Sequence, residues 1–137
     1  MKSNYLLLFF CFLFLFGCKK EAGPGGTSSI KGRVYADYYD KNLYVLTKSA
    51  YAPDVDVYII YGDNATYGDH QKTSYDGTYE FKYLEKGNYK IYTYSRDSTG
   101  KYIYAVNKFA PNVAVTANAE ITKTKQKIEL PDLRIIQ

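Results

Sequence analysis

The stretch from Thr73 to Ile91 constrains the fold of this chain most, because apolar and polar residues alternate in it around two turns. Asp76-Gly77 is a tight-turn signal, since glycine adopts positive φ without a Cβ clash. Glu85-Lys86-Gly87-Asn88 supplies the second turn. The alternation predicts strands with one apolar face, and other strands must cover that face because an isolated hairpin is marginally stable. The face consists of Tyr79, Phe81, Leu84, Tyr89 and Ile91.

This stretch resembles the carboxypeptidase regulatory-like domain, a prealbumin (transthyretin)-like β-sandwich. The resemblance rests on the pattern Asp-Gly-x-Tyr-x-Phe-x-x-Leu-x-x-Gly-x-Tyr-x-Ile from Asp76 to Ile91. Upstream, Ile30–Val34 and Ala52–Ile59 resemble the first two strands of that family. The resemblance implies an all-β domain over residues 30–137, a single antiparallel Greek-key β-sandwich of about seven strands. It implies no activity, because every matched residue packs or turns.

The rest of the chain also shows strand patterns at short intervals and no amphipathic helix, which favours an all-β sandwich. Ile30–Ala36 is predicted as the first strand, and Asp37–Tyr51 as an insertion that adds a short strand at a sheet edge. Thr116-Ala-Asn118 is predicted as a turn before a last long strand, Glu120–Leu130. The predicted core consists of Val34, Val55, Val57, Ile59, Tyr79, Phe81, Leu84, Tyr89, Ile91 and Ala105.

The first residues have the pattern of an export signal. Lys2 precedes an unbroken apolar run, Tyr5–Phe16, which is shorter than the roughly 20 residues that span a bilayer. Leu15-Phe16-Gly17-Cys18 resembles a bacterial lipobox, which implies that residues 1–17 are a lipoprotein signal peptide. Cys18 would then be lipidated and become the first residue of the mature protein. An ordinary signal with an incidental cysteine is the alternative.

Residues 18–29 contain the lipidated cysteine and a run rich in Gly, Ser and Pro, which predicts a flexible tether. The expected location is therefore the bacterial cell envelope, with the protein anchored in a membrane through Cys18. The outer membrane is favoured, and the membrane face is left open. The other cysteine, Cys11, lies inside the signal, so we expect no disulfide and no redox chemistry.

The charge pattern and the polar residues give no signal for catalysis or nucleic-acid binding. The formal net charge of +4 comes from interspersed residues, whereas a nucleic-acid footprint concentrates basic side chains. His70 is the single histidine, and a metal site with Asp63 and Asp69 is the functional alternative to a solvated loop imidazole. We predict no catalytic residue, no metal site and no cofactor, and therefore a protein that is not an enzyme.

Tyrosine is the unusual component, with 17 residues and no tryptophan. Tyrosine suits a half-solvated sheet face, but it also provides contact area for recognition. We predict a binding surface at Tyr92, Tyr94, Tyr102 and Tyr104, with an envelope protein or glycan as partner. The predicted function is a non-catalytic, membrane-anchored binding or interaction module. The alternatives are a structural accessory domain without a ligand and a carbohydrate-binding β-sandwich.

Overall fold

The computed structural model describes residues 21–40, 45–96 and 112–137. This part of the chain is all-β, as predicted, and contains no helix that could cross a bilayer. The predicted lipidation site Cys18, the core residue Ala105, and Tyr102 and Tyr104 of the predicted surface lie outside the described residues. The strands are β1 (Pro24–Tyr39), β2 (Leu46–Tyr51), β3 (Asp56–Tyr61), β4 (Asp69–Lys72), β5 (Thr78–Leu84), β6 (Gly87–Arg96), β7 (Asn112–Ile121), β8 (Lys127–Glu129) and β9 (Leu133–Ile136).

The first sheet is built around the long strand β1. Its first half pairs antiparallel with β5 and its second half with β2. Val34 donates its N–H to the Gly77 carbonyl and accepts from the Ala52 N–H, so β5 and β2 follow one another along one edge of β1. β8 and β9 pair with β1 in parallel. These parallel pairs depart from the purely antiparallel arrangement expected, and the described residues contain more strands than the seven predicted.

The second sheet has the strand order β4-β3-β6-β7, and all its pairs are antiparallel. Its inner face packs against the first sheet in one continuous apolar core. Of the ten predicted core residues, the nine that the structure describes are all buried, which confirms the predicted inner faces. The insertion after β1 contains β2, the predicted additional strand at the edge of β1.

The spacing Phe81-x-x-Leu84 reflects a bulge in β5. Strict alternation would place Leu84 on the solvent side if Phe81 is inside. Tyr83 adopts φ 58°, and the register with β1 shifts between Phe81 and Leu84. The additional residue returns Leu84 to the core, where its exposed fraction is 2%, and leaves Tyr83 71% exposed.

The first strand begins earlier than predicted. β1 starts at Pro24, so residues 24–29, assigned to the tether, pair with β5 or lead into that pairing. Gly26 allows the backbones of β1 and β5 to approach closely, because a Cβ at this position would overlap the Leu84 carbonyl. Buried Ser28 adds an anchor, since its hydroxyl accepts from the Gln126 N–H at 3.0 Å.

The predicted turn at Thr116-Ala-Asn118 is wrong, because β7 continues through it to Ile121. Pairing with β6 overrides the turn preference of Asn118, which lies opposite Lys90 in the register. The chain reverses after Ile121 instead. There the Gln126 side-chain oxygen accepts from the Lys123 N–H at 3.0 Å, and Lys125 takes φ 57°.

Candidate functional site

An aromatic cluster lies on the outer face of the second sheet. Because side chains alternate between the faces of a strand, the burial of Val57 and Ile59 in β3 directs Tyr58 outward. In β6, Ile91 and Thr93 are buried, and Tyr92 and Tyr94 face outward by the same rule. His70 on β4 and Tyr67 in the loop before it complete the set. We define the aromatic cluster as Tyr58, Tyr67, His70, Tyr92 and Tyr94.

Strand register places three of these rings in one row across the sheet. Tyr58 lies directly opposite His70 on one side and Tyr92 on the other. The rings of Tyr58 and Tyr92 stack with centroids 5.0 Å apart and planes 16° apart. Tyr58 and His70 stack at 5.7 Å and 21°. These separations are close to the strand spacing of about 4.8 Å, so the stack is a direct product of the pairing.

Two further rings close the cluster edge-on. Tyr67 meets Tyr58 at 5.1 Å and His70 at 5.9 Å, and Tyr94 meets Tyr58 at 5.9 Å and Tyr92 at 5.7 Å. Stacked and edge-to-face arrangements are both favourable geometries for aromatic pairs. Tyr67 and Tyr94 are about half exposed, at 50% and 47%. The cluster is therefore ordered by its own contacts and still offers aromatic surface to solvent.

The environment raises the pKa of two tyrosine hydroxyls of the cluster. Desolvation raises the pKa of Tyr58, and the Asp56 carboxylate raises it further. Desolvation also raises the pKa of Tyr92, with the neighbouring Tyr94 hydroxyl adding to the effect. The hydroxyls of Tyr58 and Tyr92 therefore stay protonated at neutral pH, where they can donate and accept hydrogen bonds.

The structure brings together half of the predicted surface and adds three residues to it. Tyr92 and Tyr94 belong to the cluster, whereas Tyr102 and Tyr104 lie outside the described residues. The residues not predicted for this surface from the sequence are Tyr58, Tyr67 and His70. Tyr58 could have been found, because it alternates with the core residues Val57 and Ile59. Tyr67 is placed by a loop, and no local pattern indicates its position.

His70 lies on a strand, in contrast to the solvated loop position favoured from the sequence. Its ring packs against Tyr58 and Tyr67. Its backbone N–H donates to the Asp69 carboxylate at 2.8 Å. Within residues 21–40, 45–96 and 112–137, no three His, Cys, Asp or Glu side chains converge as a metal site.

A polar groove adjoins the aromatic cluster on the same sheet. Its volume is about 560 Å³, and it opens between the turn after β3 and the ends of β6 and β7. Ile60 lines it together with polar side chains from the three segments. Those polar residues are Asp63, Asn64, Asn88, Lys90, Asn118 and Glu120.

Two tyrosines of the first sheet, Tyr35 and Tyr51, lie against arginine side chains. The Arg33 guanidinium lies 4.3 Å from the Tyr51 ring centroid, and that of Arg134 lies 5.4 Å from the Tyr35 centroid. The two tyrosine rings also meet edge-on at 5.2 Å. The Tyr51 hydroxyl donates to Asp132 at 3.1 Å. An arginine side chain therefore occupies a face of each of these two rings.

The comparisons with known proteins identify no family. No family model matches the chain, and no curated protein is similar to it. Among solved structures, the chain is similar to a protein from Pseudomonas aeruginosa described as a "putative carbohydrate binding protein". The identity is 13%, the match covers 80% of this chain and 91% of the other, and the TM-score is 0.48. A likeness this distant carries no argument about function.

Proposed function

We propose that this protein is a non-catalytic binding module, anchored in a membrane of the bacterial envelope, and that it binds its partner through the outer face of the second sheet. The observation that carries the proposal is the aromatic cluster, whose rings pack against one another 5.0–5.9 Å apart on a solvent-facing surface. The partner is an envelope protein or a glycan.

The arrangement of the rings suits recognition. Tyrosine provides a large contact area with only two side-chain torsions to immobilise, so its ordering costs little entropy on binding. Here the rings are held in advance by neighbouring rings, which lowers that cost further. The neutral hydroxyls add donors and acceptors without a charge to desolvate.

The proposed anchor is the lipid on Cys18. It is supported by the apolar run that ends in Leu-Phe-Gly-Cys, the pattern of a lipobox. β1 begins at Pro24, so only residues 18–23 would separate the proposed lipid from the first strand, and we expect the domain to lie close to the membrane. Replacing Cys18 by Ser should move the protein from the membrane fraction to the soluble fraction. If Cys18→Ser stays in the membrane fraction, the lipid anchor is refuted. That result would not bear on the proposed binding surface.

The domain itself resembles carboxypeptidase regulatory-like domains in its turn and strand pattern, and we propose that it belongs with them. The burial of the matched residues Tyr79, Phe81, Leu84, Tyr89 and Ile91 supports this assignment.

The binding surface is tested by capture from native envelope extract on the immobilised full chain. The variant Tyr67→Ser/Tyr94→Ser removes the two half-exposed rings and leaves the stacked row in place. We expect recovery of bound partners to fall at least about tenfold, because exposed aromatic anchors dominate interfaces. The matched control is Tyr75→Ser/Tyr83→Ser, which removes two exposed tyrosines outside the cluster, 94% and 71% exposed.

A structural role for the cluster is the second candidate. It is favoured by one observation, that both faces of the Tyr58 ring are occupied by Tyr92 and His70. If the rings only stabilise the sheet, Tyr67→Ser/Tyr94→Ser lowers the free energy of unfolding but leaves capture equal to that of the control. Equal capture, or capture by neither protein, would reject the binding module.

A further inference from the structure

The groove beside the aromatic cluster gathers six polar side chains. Three are amides, Asn64, Asn88 and Asn118, one is the ammonium of Lys90, and two are carboxylates, Asp63 and Glu120. None of the six side chains forms a hydrogen bond or ion pair within the part of the chain that the structure describes. Their hydrogen-bonding capacity is available to a ligand.

Strand register fixes four of these side chains relative to one another. Asn88 pairs with Glu120 and Lys90 pairs with Asn118 across β6 and β7, so the partners of each pair are about 5 Å apart. Tyr92 is the next outward residue of β6 after Lys90, at a spacing of roughly 7 Å. The polar groove and the aromatic cluster therefore form one continuous outer face. From Asn88 to Tyr94 this face extends roughly 20 Å along β6.

We propose that the groove is a subsite for a neutral oligosaccharide, whose chain continues over Tyr92 and Tyr94. The inference rests on the proposed function and names the ligand class of that surface. A sugar presents hydroxyl groups that donate and accept, and an amide side chain matches them because it does both. The apolar faces of the sugar rings suit the tyrosine part of the surface.

The charges of the groove select against acidic sugars. Two carboxylates, Asp63 and Glu120, oppose one ammonium, Lys90, so the groove has a net negative charge. A uronic acid chain would bring further negative charge to an open, partly screened site. The groove should therefore prefer neutral chains to oligogalacturonate.

The test measures binding of defined oligosaccharides to the full-length chain by isothermal titration calorimetry, in a zwitterionic detergent without a sugar head group. The probes are malto-, cello-, xylo- and manno-hexaose, with oligogalacturonate as the acidic comparison. The variant is Asn88→Ala/Asn118→Ala. The matched control is Asn112→Ala, which removes the same side chain from the same face of β7 at its distant end.

We expect at least one neutral hexaose to bind, and Asn88→Ala/Asn118→Ala to weaken it at least tenfold, since two hydrogen-bonding groups are lost. Asn112→Ala should bind like the unmodified protein, and oligogalacturonate should bind more weakly. If Asn88→Ala/Asn118→Ala binds the hexaose as tightly as the unmodified protein, the groove is not a subsite. If Tyr67→Ser/Tyr94→Ser then loses that binding, the aromatic cluster is still supported as the binding surface. No binding of any neutral hexaose overturns the ligand class. In that case, capture of an envelope protein that depends on the aromatic cluster keeps the proposed function.

Discussion

Stacking between Tyr58 and Tyr92 should couple the two residues energetically, and a double-mutant cycle measures that coupling. The two rings are direct cross-strand partners, 5.0 Å apart and 16° from parallel. A pair of this geometry is worth about 0.5–1.5 kcal/mol beyond the area it buries. Tyr58 also contacts Tyr67, His70 and Tyr94, so Tyr58→Ala removes four ring pairs. We expect it to cost about 2–4 kcal/mol, with the pair energies adding incompletely.

The assay is urea unfolding of Tyr58→Ala, Tyr92→Ala and the double variant. Because the chain has no tryptophan, near-UV circular dichroism of tyrosine is the signal. The cycle should return a coupling of about 0.5–1.5 kcal/mol. A control cycle of Tyr92 with the exposed Tyr75 should be additive within about 0.5 kcal/mol. Additivity of Tyr58 and Tyr92 would show that the rings do not pack as described, and the preorganised surface would be lost with them.

Three further outcomes follow from the fold. Phe81→Ala should lower the free energy of unfolding by about 3–5 kcal/mol, since the ring is buried. A loss of less than about 1 kcal/mol in urea unfolding would mean that the inner face of β5 is misassigned. Gly26→Ala should destabilise by about 1–3 kcal/mol because its Cβ meets the Leu84 carbonyl, whereas a mobile tether would tolerate the change. Hydrogen bonds, first that from the Ser74 hydroxyl, lower the pKa of Asp76 to about 2. This depressed pKa adds stability that is complete above about pH 4 and is lost as the pH falls towards 2. Asp76→Asn should therefore flatten the dependence of the free energy of unfolding on pH between about pH 4 and 2. If NMR showed Asp76 titrating near its ordinary pKa, the hydrogen bond from Ser74 would be contradicted.

Alternation along β3 and β6 was sufficient to predict which of their large apolar residues enter the core. Val57 and Ile59 in β3 and Tyr89 and Ile91 in β6 follow the two-residue period, and the structure buries all four. The period works because each strand has one face covered by the other sheet. The Greek-key strand order and membership of the carboxypeptidase regulatory-like family stay predictions.

The candidate site was only partly predictable, because it depends on strand register. Tyr58 and Tyr92 are far apart in sequence, and only the pairing of β3 with β6 brings their rings together. Tyr67 reaches the cluster through a loop, whose path no local pattern specifies. The start of β1 was difficult to predict for a related reason. Glycine, as at Gly26, is as typical of a close approach of two backbones as of a flexible linker.

The most direct test of the binding surface is NMR mapping of the full-length chain during titration with the neutral hexaose that binds most tightly. We expect chemical-shift changes on the outer face of the second sheet, at Asn88, Asn118, Tyr92 and Tyr94. Tyr35 and Tyr51 on the first sheet should not move. Shifts centred on the first sheet, or no shifts with any hexaose of the panel, would contradict a glycan-binding outer face.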